Sequence, residues 1–383
     1  MLMEGIMRDQ FPIFNSKHYF LTCAVSPLAN RVKLAVEKFT REWDTYAGYA
    51  LSMENGWSAS VDKAREEFAK QINAKKEQVA YSFGVTVSSN SILSCFDNTT
   101  KNEFLFTDID FPAVPANIIA KSDHDATYQI AKSHQGKIEA EDFVNLFSNR
   151  TAMLCISEVM ANNGFRIDLD NFVEKAHDND IPLFLDTYQS AGYIPIDVKK
   201  SDIDFLATGT QKYLIGGFGM SFMYMREDWI EKLNPASIGW FGAAGVFDSL
   251  FNGIFDKLTR PKDITKFHLG SPYVNGAATA IAGMNLLSEI GIDRIYNHNM
   301  QITQEIIDMA LDQGYKVQTP IDKDRRGSIV NILVPNAKKI VEELRAIGII
   351  VDYRTDGIRV APHFYNDSSD VSALFSQITR FKN

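Results

Sequence analysis

A lysine and an aspartate, each placed directly after an apolar segment, are the residues of this chain best suited to catalysis. Asp186 ends the apolar run 181–185, and Lys212 follows a second apolar run, 205–208. A glycine-rich turn comes next, at 215–219. A lysine amine condenses with an aldehyde, and a buried carboxylate keeps a pyridine nitrogen protonated. The pair therefore predicts a pyridoxal-phosphate site in which Lys212 forms the Schiff base and Asp186 faces the ring nitrogen.

Each of these two residues also has a simpler interpretation. A solvated lysine, with a pKa of ~10.4, is a poor nucleophile at neutral pH, and an aspartate after a strand often caps a helix. However, the glycine-rich turn after Lys212 allows the backbone to pass close to a ligand. A carboxylate at the end of an apolar strand also needs a partner, which a pyridinium provides. The combination favours a cofactor site over two unrelated polar residues.

A third region is suited to bind phosphate. Gly84, Val85 and Thr86 follow a predicted strand and open a helix, where free N–H groups and the helix dipole attract anions. Helix capping by Thr86 is the simpler alternative. The other candidate cofactor contacts are Gln189 for the phenolic oxygen, Phe111 for ring stacking, Thr210 and Gln211 for the phosphate, and Ser271 as a donor from a partner subunit. A place in the core for Phe111, and a loop contact for Gln189, remain open.

One arginine is a candidate for binding the substrate. Arg359 lies inside the otherwise apolar run 357–361. A buried guanidinium requires a carboxylate partner, which it binds through two parallel hydrogen bonds. An amino-acid substrate offers such a carboxylate, and an internal salt bridge is the alternative.

The elements that position these residues alternate between strand and helix. The predicted strands are 79–83, 104–107, 153–157, 181–185, 205–208 and 220–224, and the predicted helices are 61–72, 88–96 and 169–177. This alternation predicts an α/β fold with a mainly parallel sheet that helices cover on both faces. Ligands bind at the carboxyl ends of such strands, where Asp186, Lys212, Thr86 and Phe111 are all expected.

The pattern changes after about residue 276 and predicts a second, smaller α+β domain. Its predicted helices are 277–289, 337–346 and 368–380, and its predicted strands are 328–334, 349–353 and 357–361. We therefore expect a large cofactor-binding domain over 15–275 and a small domain over 276–383. The N-terminal segment, 1–14, is expected to pack on the small domain.

Composition excludes several classes of protein. The 383 residues carry a formal net charge of -9, which argues against a nucleic-acid partner. No run of apolar residues is long enough to predict a membrane span, and the N-terminal residues lack the apolar core of a signal peptide. Cys23, Cys95 and Cys155 are too widely spaced to suggest a zinc site or a disulfide framework. A reducing cytoplasm is the expected location.

These motifs together resemble the class V aminotransferase clan of fold-type-I pyridoxal-phosphate enzymes. The clan includes cysteine desulfurases and kynureninase, and of these the motifs resemble kynureninase most. The resemblance rests on the segments 186–189, 210–212, 239–242, 270–272 and 357–362. It implies a mainly parallel, seven-stranded sheet and a homodimer with both active sites at the interface. It also implies that Thr86 binds the cofactor phosphate, Ser271 contacts the neighbouring subunit's phosphate, and Arg359 binds the substrate α-carboxylate.

Several positions depart from the nearest members of the clan. Kynureninase has a histidine where this chain has Ala243, and the family tyrosine before the lysine is Gln211 here. Gln189 matches cysteine desulfurases, but Glu158 stands where they have an asparagine. Desulfurases also need a mobile cysteine before the arginine strand, and the segment 349–362 contains none. A persulfide-forming desulfurase is therefore disfavoured.

The sequence thus predicts a pyridoxal-phosphate enzyme that acts on an α-amino acid, with an aminotransferase favoured. In this interpretation Lys212, once released, removes the α-proton as a general base. A β-lyase or a kynureninase-like hydrolase is the alternative, since the same chemistry serves all three. A non-catalytic binding module is disfavoured because both Lys212 and Asp186 are present.

Overall fold

The computed structural model describes residues 7–96, 100–124, 126–246, 252–253, 259–354 and 356–381. Within them, a seven-stranded sheet forms the centre of the molecule. After a short β1 (His18–Tyr19), its strands are β2 (Val79–Ser82), β3 (Glu103–Thr107), β4 (Thr127–Ala131), β5 (Thr151–Ser157), β6 (Leu183–Asp186), β7 (Phe205–Gly209) and β8 (Ser221–Met225).

The strands of this sheet lie in the order β2-β8-β7-β6-β5-β3-β4. Only β8 runs antiparallel to its neighbours, β2 and β7, whereas the pairs from β7 to β4 are parallel. The predicted α/β fold with a mainly parallel, seven-stranded sheet is confirmed. Every residue of β5 is buried, as expected for a strand covered on both faces.

Helices cover both faces of the sheet. They are α1 (Asn30–Tyr46), α2 (Trp57–Gln71), α3 (Val85–Leu93), α4 (Ala113–Ser122), α5 (Glu141–Val144), α6 (Leu169–His177), α7 (Glu227–Lys232) and α8 (Val274–Ile290). From Met153 to Ile156, the side chains of β5 alternate between two apolar cores, with Leu154 and Ile156 in one and Met153 and Cys155 in the other. This alternation follows from the two-residue period of a strand.

A second sheet of four antiparallel strands follows in the chain, in the order β12-β13-β10-β9. The four strands are β9 (Lys316–Val317), β10 (Val330–Leu333), β12 (Asp352–Arg354) and β13 (Gly357–Val360). A further short strand, β11 (Ile349–Ile350), lies outside this sheet and pairs with β1. The helices are α9 (Ile292–Asp312), α10 (Ala337–Ala346) and α11 (Ser368–Ile378). These elements enclose a third apolar core.

The domain boundary at 275/276 stays a prediction, as does the packing of the segment 1–14, whose first six residues lie outside the described part. In the described remainder, Arg8 Nη1 and Nη2 donate to Asp370 in α11 at 2.7 and 2.9 Å. Among the described residues, no helix combines the length and the apolar character needed to cross a membrane.

The bounds of most predicted elements differ from the structure by a few residues, and two of these differences have a clear structural reason. The helix predicted at 88–96 spans Val85–Leu93, because the chain turns into α3 directly after Gly84. The strand predicted at 349–353 is two short strands with different partners, since β11 pairs with β1 and β12 pairs with β13. Eight elements of the described residues were not predicted, namely α1, α4, α5, α7, α9, β1, β4 and β9. The first two residues of β4 are exposed, so it lacks the apolar run that marks the buried strands.

Candidate active site

The two residues predicted to carry the chemistry come together at the carboxyl end of the large sheet. Asp186 is the last residue of β6, and Lys212 follows three positions after the end of β7. The Lys212 Nζ lies 4.3 Å from the centroid of the Tyr188 ring and 5.3 Å from that of the Phe111 ring. Phe111 is 47% exposed, so it lies at the cleft and not in the core.

Burial changes the protonation of both groups. It lowers the pKa of Lys212 to about 8, against the opposing effect of the Asp186 charge. It raises the pKa of Asp186 to about 6, although the Tyr188 N–H donates to its Oδ1 at 2.9 Å. With this pKa, about a tenth of the Lys212 amine is neutral and nucleophilic at pH 7, far more than for a solvated lysine.

Buried polar atoms without a partner mark the same cleft. Gln189 Oε1 and Arg359 Nε have no hydrogen-bond partner among the described residues, and both side chains are buried. Such orphaned groups in a native fold point to an absent ligand. Together with an amine and a carboxylate of suitable position, they fit pyridoxal phosphate and an amino-acid substrate. The Gln189 amide donates to the Cys23 carbonyl at 3.0 Å, so its contact with the cofactor stays a prediction.

The predicted phosphate contacts differ in their geometry. Val85 and Thr86 form the first turn of α3, where backbone N–H groups lack helical partners, and Thr86 is exposed. By contrast, the Thr210 hydroxyl donates to the Gly217 carbonyl at 2.7 Å, and Gln211 Oε1 accepts from the Tyr188 hydroxyl at 2.6 Å. Ser271 is exposed. The phosphate roles of all five residues stay predictions.

Arg359 is buried in β13, as its apolar surroundings predicted. Its Nη2 donates to Asp352 Oδ2 at 2.8 Å, and its Nη1 donates to the Ala161 carbonyl at 2.7 Å. The internal salt bridge that the sequence left open is therefore present. The Nε–H remains for another acceptor, such as a substrate carboxylate.

Sequence reasoning missed the N-terminal segment 23–26, which crosses the cleft. The Cys23 carbonyl accepts from Gln189, and the Ser26 N–H donates to the Gln211 carbonyl at 2.7 Å. Cys23 is buried, which raises the pKa of its thiol, while the charges of Arg359 and Lys212 oppose that shift. No local pattern signals this position, because the contacts join residues more than 160 positions apart.

Two acidic residues complete the surroundings. Asp110 accepts from the Ser157 and Thr107 N–H groups at 2.8 and 3.0 Å, and burial raises its pKa to about 7. It thereby ties the ends of β3 and β5 together. Glu158, which replaces an asparagine of the desulfurases, accepts from Arg166 Nη2 at 3.2 Å.

The fold and the site define a fold-type-I, pyridoxal-phosphate-dependent enzyme. The model of the family "Aminotransferase class-V" matches residues 18–374, so the chain belongs to the class-V aminotransferase family.

Two relatives with similar sequences carry the names of two different activities. The chain is 31% identical to an "uncharacterized aminotransferase YcbU" of Bacillus subtilis, over 97% of this chain and 96% of the relative. It is 25% identical to a kynureninase of Bacillus anthracis, over 90% of this chain and 83% of the relative.

Solved structures confirm the fold. A cysteine desulfurase of Thermococcus onnurineus superposes with a TM-score of 0.87 at 19% identity, covering 99% of this chain and 98% of that chain. The cystine C-S lyase C-DES superposes with a TM-score of 0.89 at 18% identity, covering 98% of this chain and 100% of that chain. At these identities the likeness concerns the fold alone.

Proposed function

We propose that this enzyme is an aminotransferase that acts on an α-amino acid. The observation that supports this most is the position of a partly neutral lysine, Lys212, in the same cleft as Asp186 and the unpartnered Nε of Arg359. Lys212 would hold the aldehyde of the cofactor, Asp186 its ring nitrogen, and Arg359 the α-carboxylate of the substrate. When bound, pyridoxal phosphate withdraws electrons from the substrate α-carbon.

The protein's own residues then have defined tasks. The Lys212 amine, with its pKa lowered to about 8, is suited to accept a proton from the α-carbon and return it, because a base works best near the operating pH. Asp186 holds a proton at the ring nitrogen. The rings of Tyr188 and Phe111 border the Lys212 amine and shield it from water.

Two observations favour transamination over the alternatives. The relative at 31% identity carries the name of an aminotransferase. Ala243 stands where kynureninases have a histidine, which disfavours hydrolysis of a carbon–carbon bond. A β-lyase or kynureninase-like hydrolase is the second candidate, supported by the kynureninases among the relatives.

The first test is spectroscopic and separates a loaded enzyme from a non-catalytic binding module. Protein reconstituted with pyridoxal phosphate should absorb at about 410–430 nm, and Lys212→Ala should abolish this band. Lys232→Ala, which removes an exposed lysine elsewhere, is the matched control and should retain it. A colourless wild-type protein would contradict the proposal.

A second assay separates transfer from elimination. The loaded enzyme is mixed with a panel of amino acids, with and without an added keto acid, and keto acid, ammonia and sulfide are measured. Strict dependence on the added keto acid supports an aminotransferase. Product release without any acceptor would instead establish the lyase or hydrolase.

We also propose a homodimer in which Ser271 reaches the phosphate of the partner's cofactor. The exposure of Ser271 supports this, and the Tyr81 hydroxyl fixes the preceding Gly270 carbonyl at 2.7 Å. The domain division at 275/276 and a cytoplasmic location are part of the same proposal.

A further inference from the structure

The backbone directly after Lys212 forms a tight turn with one unfavourable conformation. The Ile215 N–H donates to the Lys212 carbonyl at 3.1 Å, and the Gly216 N–H donates to the Thr210 carbonyl at 2.7 Å. Ile215 has a φ of 57° and is buried. A β-branched residue rarely adopts this left-handed conformation, which persists only where the surrounding structure enforces it. The contacts that enforce it also fix the backbone from which the Lys212 amine extends.

One of these contacts comes from a histidine on a distant part of the chain. His363 lies shortly after the end of β13 and is fully buried. Its Nε2 lies 3.1 Å from the carbonyl oxygen of Tyr213, the residue that follows Lys212. Because a carbonyl oxygen only accepts hydrogen bonds, Nε2 carries the ring proton and donates it. The other ring nitrogen, Nδ1, lies 3.2 Å from Asn299 Nδ2 and accepts from it.

The ring of His363 is neutral. A protonated ring would need an acceptor at Nδ1, but the Asn299 amide presents its nitrogen there, and Asn299 Oδ1 has no hydrogen-bond partner among the described residues. Burial also lowers the pKa of His363 to about 3. His363 therefore acts on its surroundings as a hydrogen-bond donor of fixed direction and not as a charge.

The same histidine belongs to the segment that continues from the strand of Arg359. The Pro362 carbonyl, directly before His363, accepts from the Ser328 hydroxyl at 2.7 Å. The Ser328 carbonyl in turn accepts from the Tyr213 hydroxyl at 3.0 Å. The segment after Arg359 and the turn after the lysine are therefore joined twice, once through the His363 ring and once through Ser328.

We propose that His363 is a positioning residue that, through the Tyr213 carbonyl, holds the turn after Lys212 in register with Arg359. This inference rests on the proposed function, in which Lys212 and Arg359 act on the same substrate. Without the donor at Nε2, the turn relaxes from its left-handed conformation and the Lys212 amine moves with it. Arg359 keeps its own two acceptors in the interior, so the site for the substrate carboxylate should change little.

Three substitutions of His363 separate its hydrogen bond from the packing of its ring. Glutamine places a donor as many bonds from the backbone as histidine Nε2, asparagine reaches only the position of Nδ1, and phenylalanine keeps a ring without a donor. In His363→Phe and His363→Asn, kcat should fall about 10- to 100-fold with little change in KM, as expected when a catalytic group is displaced. His363→Gln should stay close to the wild-type values.

A spectroscopic measurement makes the result independent of turnover. Pyridoxal phosphate is added to the cofactor-free protein, and the rate at which the band at about 410–430 nm appears is recorded. This rate depends on the position of the Lys212 amine, so it should fall in His363→Phe and His363→Asn and be retained in His363→Gln. Urea unfolding of each cofactor-free variant separates a displaced lysine from a general loss of stability.

His298→Phe is the matched control. His298 Nε2 also lies close to a backbone carbonyl, that of Asn366 at 2.8 Å, but this carbonyl does not belong to the turn after Lys212. The substitution removes the same kind of hydrogen bond and should leave both the rate of band formation and kcat unchanged.

The outcomes separate this inference from the proposed function. If the wild-type protein forms the band but His363→Phe resembles it more closely than His363→Gln does, the ring only fills space and the inference is overturned. If His363→Phe does not fold, equal rates in His363→Gln and His363→Asn would overturn it in the same way. A wild-type protein that stays colourless would instead remove the proposed function, and the inference with it.

Discussion

Burial shifts the pKa of both residues that are proposed to face the cofactor, Lys212 and Asp186, and this has a cost. The pKa of Lys212 falls to about 8 and that of Asp186 rises to about 6, so each charged form is less favourable in the folded chain than in water. Residues that are tuned for chemistry in this way commonly reduce stability. In the cofactor-free protein, these two buried groups should therefore lower the free energy of unfolding by a measurable amount.

Asp186→Asn is expected to stabilise the cofactor-free protein at pH 7. The folded pKa of Asp186, about 6, lies above the unfolded value of about 3.9. The folded state therefore binds more protons between these values, and the stability that protonation confers is lost as the pH rises through about 6. Asparagine keeps an oxygen for the Tyr188 N–H and removes the charge, so the free energy of unfolding should rise by about 1–3 kcal/mol.

The free energy of unfolding of the cofactor-free protein, measured with urea from about pH 3.5 to about pH 8, checks this prediction. The gain should shrink towards the acidic end, where Asp186 is itself protonated, and the variant should bind the cofactor more weakly. Asp204→Asn is the control. Asp204 is also buried, but it accepts from His177, Trp229 and the Leu183 N–H, so its loss should destabilise. A loss of stability in Asp186→Asn at pH 7 would contradict the argument.

Local patterns in the sequence predicted the elements that carry the site but not the contacts between distant segments. The apolar strands that end at Asp186 and precede Lys212 were predictable because each is buried on both faces. The segment 23–26 was not, since its bond to Gln189 spans 166 positions. Arg359 was predicted from its apolar strand, whereas its ion pair with Asp352 depends on the pairing of β12 with β13.

Gly209, the last residue of β7, lies against the side chain of Tyr188, which borders the Lys212 amine. A Cβ on Gly209 would overlap the hydroxyl and the ring of Tyr188, whose ring lies 4.3 Å from the Lys212 Nζ. Gly209→Ala should therefore displace Tyr188, destabilise the protein by about 1–3 kcal/mol as overpacking does, and weaken cofactor binding. Gly48→Ala is the matched control, because a Cβ there meets nothing within 4 Å.

Visible absorbance titrated with pyridoxal phosphate measures the affinity of these two variants, and urea unfolding measures their stability. Unchanged affinity in Gly209→Ala would show that the position of Tyr188 does not matter for Lys212. Loss of affinity in Gly48→Ala would show that the assay responds to any added methyl group.

At the scale of the whole molecule, the cleft joins parts of the chain that lie far apart. Tyr213 follows Lys212 directly in the chain. Its hydroxyl donates to the Ser328 carbonyl at 3.0 Å, and His363 Nε2 lies 3.1 Å from its carbonyl oxygen. Arg359 of the small sheet donates to Ala161, beyond β5 of the large sheet. The strand–helix alternation predicted the class of fold, but these joints follow from tertiary packing, which no local period encodes.

If the proposed homodimer shares its sites, subunits with different defects should complement one another. Lys212→Ala chains cannot form the imine, and Ser271→Asp chains would repel the partner's cofactor phosphate by like charge. In a mixed dimer with Ser271 acting across the interface, one site carries both defects and the other carries neither. Purified mixed dimers should then bind the cofactor at half the sites with wild-type affinity. If Ser271 acts within its own chain, the only absorbing site keeps the added charge, so a titration with uniformly weakened affinity would exclude the shared site.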